Sequence, residues 1–344
     1  MPVNASNPVM RYVTNRRFTY SMDWDLRNVN RGRINNYGFV NEQDYDTTHR
    51  TPLLAVVGDS YVEALMVPYG ETLHGLLGSA VGSRGRVYSF GLSGASLAQY
   101  LVEADFARTN FRPDGLVIVI VGNDFDESLL RYRPTPGFHY FVGDSAEPRL
   151  VRLDFTPTLL RRTLGKFALA RYMLYNVGVS GLAARVRATF RGTGSQPVQV
   201  VGNTPAATDS QRMADSRSVV NQFLEELPEK SGLDPSHILL VLDGMRPNLY
   251  TEEDLRRARG TYFDLMRNYL RDSATRRGIE VVDMQPRFIE RHRRDGAVFE
   301  FPADGHWNAI GHGEAAAAVR GSTVFRRVFG SVPASPDIGG RAPR

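Results

Sequence analysis

The strongest constraint on this chain is a set of five short, strand-like runs separated by helical patterns. Leu53-Leu54-Ala55-Val56-Val57 is apolar throughout and stops at Gly58. Runs at 116–121 and 238–242 are likewise apolar, and 86–90 and 279–282 read as short strands that include polar residues. A run with no polar alternation suits a strand covered on both faces. Helical periods between such strands imply a parallel sheet held between two helical layers. The first follows Gly58 through Val62, Leu65, Leu73, Leu76 and Leu77, with a break near Pro68; others are expected at 97–110, 219–227, 252–277 and 313–319. The expectation is an α/β fold: a three-layer α/β/α sandwich with a mainly parallel sheet.

The 344 residues suffice for one such domain with additions. Residues 1–50 are polar and read as an irregular or β-rich lead-in, with the main domain over 51–330. Inside it, 131–210 breaks the rhythm and reads as an insertion. That insertion carries a basic amphipathic helical stretch at 159–190 and a Gly/Ser/Thr/Pro-rich flexible linker at 191–210. Residues 331–344 read as a disordered tail. No internal repeat is visible.

With no cysteine, the chain can have neither disulfides nor a thiolate nucleophile. No apolar run approaches the ~20 residues of a membrane-spanning helix. The first thirty residues hold no apolar stretch of signal-peptide length. A complete chain would therefore be cytoplasmic, and one that has lost an upstream anchor or signal extracytoplasmic. The net charge of +5 is carried by arginine, because Lys166 and Lys230 are the only lysines. Arginine's planar fork suits carboxylates and phosphates, but no nucleic-acid recognition motif accompanies the charge, so no nucleic-acid partner is expected. The 159–190 stretch interleaves arginine with leucine and aromatic residues. It is read first as a packed helix, with a lid or a membrane-surface contact as alternatives.

Four local features fall at strand ends or in a late loop. Gly58-Asp59-Ser60 sits where a strand gives way to a helix, which exposes a hydroxyl beside helix N-terminal N–H groups. Gly91-Leu92-Ser93-Gly94-Ala95-Ser96 is a tight turn after the next strand. Gly122-Asn123-Asp124 follows the third. Ligands of open α/β sheets bind outside the carboxyl ends of the strands, so these three converge. The fourth, Asp304-Gly305-His306-Trp307-Asn308, offers an imidazole and a carboxylate to orient it, as an activated serine requires.

In this order, the serine, glycine, asparagine and histidine blocks resemble those of the SGNH (GDSL) hydrolases, with matches at Ser60, Gly94, Asn123 and His306. The resemblance spans about 53–319. It implies a flavodoxin-like three-layer fold, Ser60 as nucleophile, and His306 as general base oriented by Asp304. It also implies an oxyanion hole formed by the Ser60 and Gly94 N–H groups and the Asn123 amide. No cofactor or metal is implied. One departure is that Asp304 precedes His306 by two residues, where many members place the aspartate three before. An Asp-x-His spacing resembles alginate and peptidoglycan O-acetyltransferases. Residues 33–39 and 241–246 also resemble stretches of bacterial relatives that modify surface glycans. The expected substrate is thus an acylated small molecule or glycan, carrying O-acetyl groups on a carbohydrate.

Two other readings compete. A metal-dependent hydrolase would draw on Asp59, Asp124, Asp304, His306 and His312. A catalytically silent glycan-binding protein would keep the fold without turnover.

Overall fold

The computed structural model describes residues 1–22, 25–48, 50–143, 148–158, 199–302 and 304–330. Strands are β1 (Arg16–Met22), β2 (Asn28–Ile34), β3 (Leu53–Gly58), β4 (Arg86–Gly91), β5 (Gly115–Ile120), β6 (His139–Val142), β7 (Arg149–Arg152), β8 (Val200–Val201), β9 (Thr204–Pro205), β10 (Ile238–Leu242), β11 (Glu280–Asp283), β12 (Glu300–Phe301) and β13 (Asp304–Trp307). Helices are α1 (Ser60–Glu63), α2 (Leu73–Val81), α3 (Leu97–Phe111), α4 (Ser210–Ser231), α5 (Glu252–Ala258), α6 (Tyr262–Arg276), α7 (Met284–Asp295), α8 (Ala309–Arg320) and α9 (Thr323–Phe329).

The central sheet has five strands in the order β4-β3-β5-β10-β11, and every pairing in it is parallel. Its apolar residues divide between two cores with the strand period of two. Leu53, Ala55 and Val57 of β3 face one core with Leu116, Ile118 and Ile120 of β5. Leu54 and Val56 face the other with Val117 and Val119. The first core takes α3, α4 and α6, and the second takes α2, α7, α8 and α9. This is the expected three-layer α/β/α sandwich, with all five expected strands in place.

The lead-in is a β1–β2 hairpin followed by a segment that joins the core. Tyr45 stacks on Tyr88 at 4.0 Å between ring centroids, and Phe39 is buried with it. Residues 199–209 differ from their reading as flexible linker. Val200–Val201 and Thr204–Pro205 pair as a short hairpin, and Arg212 pins it by donating to Pro205 O and Thr204 Oγ1. The basic stretch at 159–190, residues 191–198 of the linker and the tail at 331–344 lie outside the described residues.

The helix expected over 252–277 is two helices. Arg259 turns extended and Gly260 takes a positive φ of 72°, so a second helix starts afresh at Tyr262. Helix α7 has no counterpart in the sequence reading. It buries only Met284 and Phe288, too few apolar positions to show a period. Among the described residues, no helix is long and apolar enough to cross a membrane.

Close approach of β4 to α1 depends on Gly91. A Cβ there would lie 2.3 Å from Glu63 N and 2.6 Å from Val62 C, both backbone atoms. Gly91→Ala is expected to lower stability by about 1–3 kcal/mol, read as a lower midpoint of denaturant unfolding with an unchanged m-value.

Candidate active site

The chain crosses from β3 to one neighbour, β4, and from β5 to the opposite neighbour, β10, so the strand order reverses between β3 and β5. This is the switch point at which open α/β sheets leave a crevice. Ser60 follows β3 and Asn123 follows β5. Both line a cleft of about 450 Å³ together with Ser93, Gly94, Asp304 and His306.

Asp59 is the N-cap of α1, its carboxylate accepting from Tyr61 N at 2.9 Å. The strand-to-helix turn leaves the Ser60 hydroxyl 2.7 Å from His306 Nε2. On the other side of the ring, His306 Nδ1 is bonded to Asp304 Oδ1, and the same carboxylate oxygen accepts from His306 N at 3.2 Å. The loop expected to hold this pair is the strand β13, paired with β12. Gly94 sits at φ 84°, a left-handed conformation that favours glycine. All five residues named from sequence, Ser60, Gly94, Asn123, Asp304 and His306, therefore meet at one cleft.

Opposing effects act on His306. Burial favours the neutral ring, the Asp304 hydrogen bond and charge favour the imidazolium, Asp59 adds to the second effect, and Arg246 opposes it. The net result is a pKa above the ordinary imidazole value. Asp59 is itself pushed up to about 6, chiefly by burial.

Other residues at the site carry no motif of their own. Asn123 Nδ2 donates to Glu127 Oε2 at 2.9 Å, Arg133 pairs with the same Glu127 oxygen, and Asn203 Nδ2 donates to Asn123 Oδ1. A carboxylate on one side and an amide donor on the other fix which way the Asn123 amide points. Asn203 lies between β8 and β9, in the stretch read as linker, where no sequence signal would pick it out.

The residues weighed as metal ligands are spread among other tasks. Asp124 accepts from Tyr100 Oη and Val121 N. His312 is buried behind the site, where its Nδ1 accepts from Leu73 N at 3.1 Å and burial pulls its pKa down to about 3. Among the described residues, no three such side chains gather as a metal site.

No family model matches the chain, and no curated protein matches it in sequence. Solved structures do match. An alpha/beta hydrolase enzyme from the metagenome of Lake Arreo, Spain, is similar over 84% of this chain and 99% of its own, at 15% identity and a TM-score of 0.42. A member of the lipolytic protein G-D-S-L family from Veillonella parvula covers 78% of this chain and 96% of its own, at 14% identity and a TM-score of 0.38. An acetyl xylan esterase covers 78% and 97%, at 11% identity and a TM-score of 0.40. The overlays are loose, and what this chain does rests on its own residues.

The site's electrostatics predict a titration. In an NMR pH titration the His306 ring should take up its proton above the usual imidazole value of about 6.5. Removing a carboxylate that favours the imidazolium must lower that pKa, so Asp304→Asn should shift it down strongly and Asp59→Asn more weakly.

Proposed function

We propose that this protein is a serine-dependent carboxyl-ester hydrolase or O-acyltransferase of the SGNH (GDSL) type, acting through an acyl-enzyme on Ser60. The observation that carries this reading is the Ser60–His306–Asp304 chain of contacts, 2.7 Å from Ser60 Oγ to His306 Nε2 and continued by the Asp304 bond to Nδ1, at a cleft shared with Gly94 and Asn123. Neutral His306 accepts the Ser60 proton as Oγ attacks the ester carbonyl. Asp304 holds the ring in the tautomer that leaves Nε2 free and stabilises the imidazolium. The tetrahedral oxyanion is received by the Ser60 and Gly94 N–H groups and Asn123 Nδ2. His306 then gives its proton to the leaving alkoxide. Water entering second completes hydrolysis, and a sugar hydroxyl completes transfer.

The polar character of the cleft favours a sugar on the leaving or accepting side. Asn123, Asn203, Glu127, Arg133 and the Tyr61 region line it, groups suited to several hydroxyls at once. Acetylated carbohydrate is the substrate class we favour.

Turnover of p-nitrophenyl acetate and of an acetylated oligosaccharide tests the proposal. Ser60→Ala is expected to lower kcat roughly 10⁴-fold or more and to abolish the acyl adduct seen by mass spectrometry. Asn123→Ala is expected to lower kcat by about 10²–10³-fold with little change in KM. Because His306 must be neutral to act, kcat/KM should fall as pH drops through its raised pKa. Acetyl groups appearing on an added oligosaccharide would select transfer over hydrolysis. Turnover in wild type that survives Ser60→Ala, or no turnover at all, would sink the reading. Absent turnover with retained oligosaccharide binding would favour a silent glycan-binding protein instead.

A further inference from the structure

Behind the cleft lies an arginine with almost no access to solvent. The Arg246 side chain is 2% exposed and its main partner Asp243 5%. Arg246 Nη2 donates to Asp243 Oδ2 at 2.6 Å and Nε to Asp243 Oδ1 at 3.1 Å. Its remaining bonds reach the two segments that carry the reacting side chains. Nη2 donates to Tyr61 Oη at 3.2 Å, and Tyr61 follows Ser60 directly. Nη1 donates to Gly305 O at 3.1 Å, and Gly305 precedes His306 directly. Tyr61 Oη donates to that same carbonyl at 2.8 Å. Nη1 also lies 3.2 Å from Glu300 Oε2 on β12, the partner strand of β13. Asp243 completes the circuit by accepting from Trp307 Nε1 at 2.8 Å.

We infer that Arg246 is a positioning residue that holds the Ser60 turn and the His306 strand at reacting distance from each other. The inference rests on reading Ser60 and His306 as the reacting pair. This one guanidinium is bonded to three separate segments at once: the end of β10, the start of α1 and the β12–β13 hairpin. A planar fork with five donors can serve all of them at once, whereas an ammonium on the same stem cannot reproduce the geometry. Burial raises the stakes, since an unmet charge in this interior is costly. Arg246 has a second effect, because its positive charge opposes protonation of His306. The charged and titratable groups facing His306 are Asp304 on its own strand, Asp59 and Tyr61 from the β3–α1 junction, Arg246 after β10 and His312 from α8.

The experiment compares wild type with Arg246→Lys, Arg246→Gln and Tyr61→Phe. It reads p-nitrophenyl acetate kinetics, folding by circular dichroism and the His306 ring titration by NMR. Arg246→Lys keeps the charge and loses the fork, so kcat should fall roughly 100-fold through misplacement of the pair, with KM little changed. Its His306 titration should stay near wild type. Arg246→Gln should lose at least as much rate and also raise the His306 pKa. Tyr61→Phe removes both bonds of the Tyr61 hydroxyl, the one accepted from Arg246 and the one donated to Gly305 O, and should cost about tenfold in kcat. A folded Arg246→Lys with wild-type kcat overturns the inference, as does an unmoved His306 titration in Arg246→Gln. If neither Arg246 variant folds, a Tyr61→Phe enzyme with wild-type kcat overturns it. Wild-type protein without ester turnover would refute the proposed function alone, because the titration still decides whether Arg246 acts on His306.

Discussion

A sheet buried on both faces has no water to satisfy its backbone, so every strand must pair along its length and present apolar residues to both sides. β3 meets both demands, with all six of its residues buried and parallel partners on either hand. That interior place leaves it one way out, through Gly58 at the carboxyl end, where the order of connections reverses. Residues following β3 and β5 therefore face one crevice whatever their identity. The chemistry of the site is a matter of which side chains the chain places at those two exits and of what returns to meet them.

What sits beneath the nucleophile is unusual for an interior. Asp59, Glu63, Glu103 and Asp124 are all at least 97% buried, and each has its pKa raised, burial being the largest cause in every case. Paired carboxylate and guanidinium groups would answer that cost elsewhere, as Asp243 and Arg246 do. Here hydroxyls and amides take the role: Ser93 bonds Glu63, Tyr100 bonds Asp124 and Gln99 bonds Glu103. Burial of this kind favours the protonated form of each carboxyl. Among the carboxylates that favour an imidazolium at His306, Asp304 acts most strongly and Asp59 less.

The sheet was legible because a doubly covered strand leaves an unbroken apolar run, and 238–242 matches β10 at both ends. Residues Ser60, Gly94, Asn123, Asp304 and His306 were legible because each sits in a short polar motif at a strand end or just before a helix. Helix α7 was not, since it rests one shallow edge on the core and most of its other residues are charged. The break at Gly260 was hidden inside an apolar period that two successive helices happen to share. Asn203 and Arg246 escaped for a different reason. They act through contacts across 80 and 59 residues of chain, and a single asparagine or arginine carries no local pattern that announces a distant partner.

The spacing of Asp304 and His306 follows from the same geometry. On an extended strand, residues two apart point to one face and the residue after them to the other. β13 is such a strand, so Asp304 and His306 share the cleft side, where one carboxylate oxygen meets both the ring and the backbone N–H of His306. Trp307 takes the opposite face, fully buried and tied to Asp243. Asp-x-His is thus a spacing that puts both groups on one face of a β-strand carrier, and the hairpin with β12 is what keeps the carrier extended. The burial of Trp307 and the orientation of His306 are two sides of one strand, so the hydrogen bonds of the Asp243–Arg246 pair to that strand act on the imidazole without touching it.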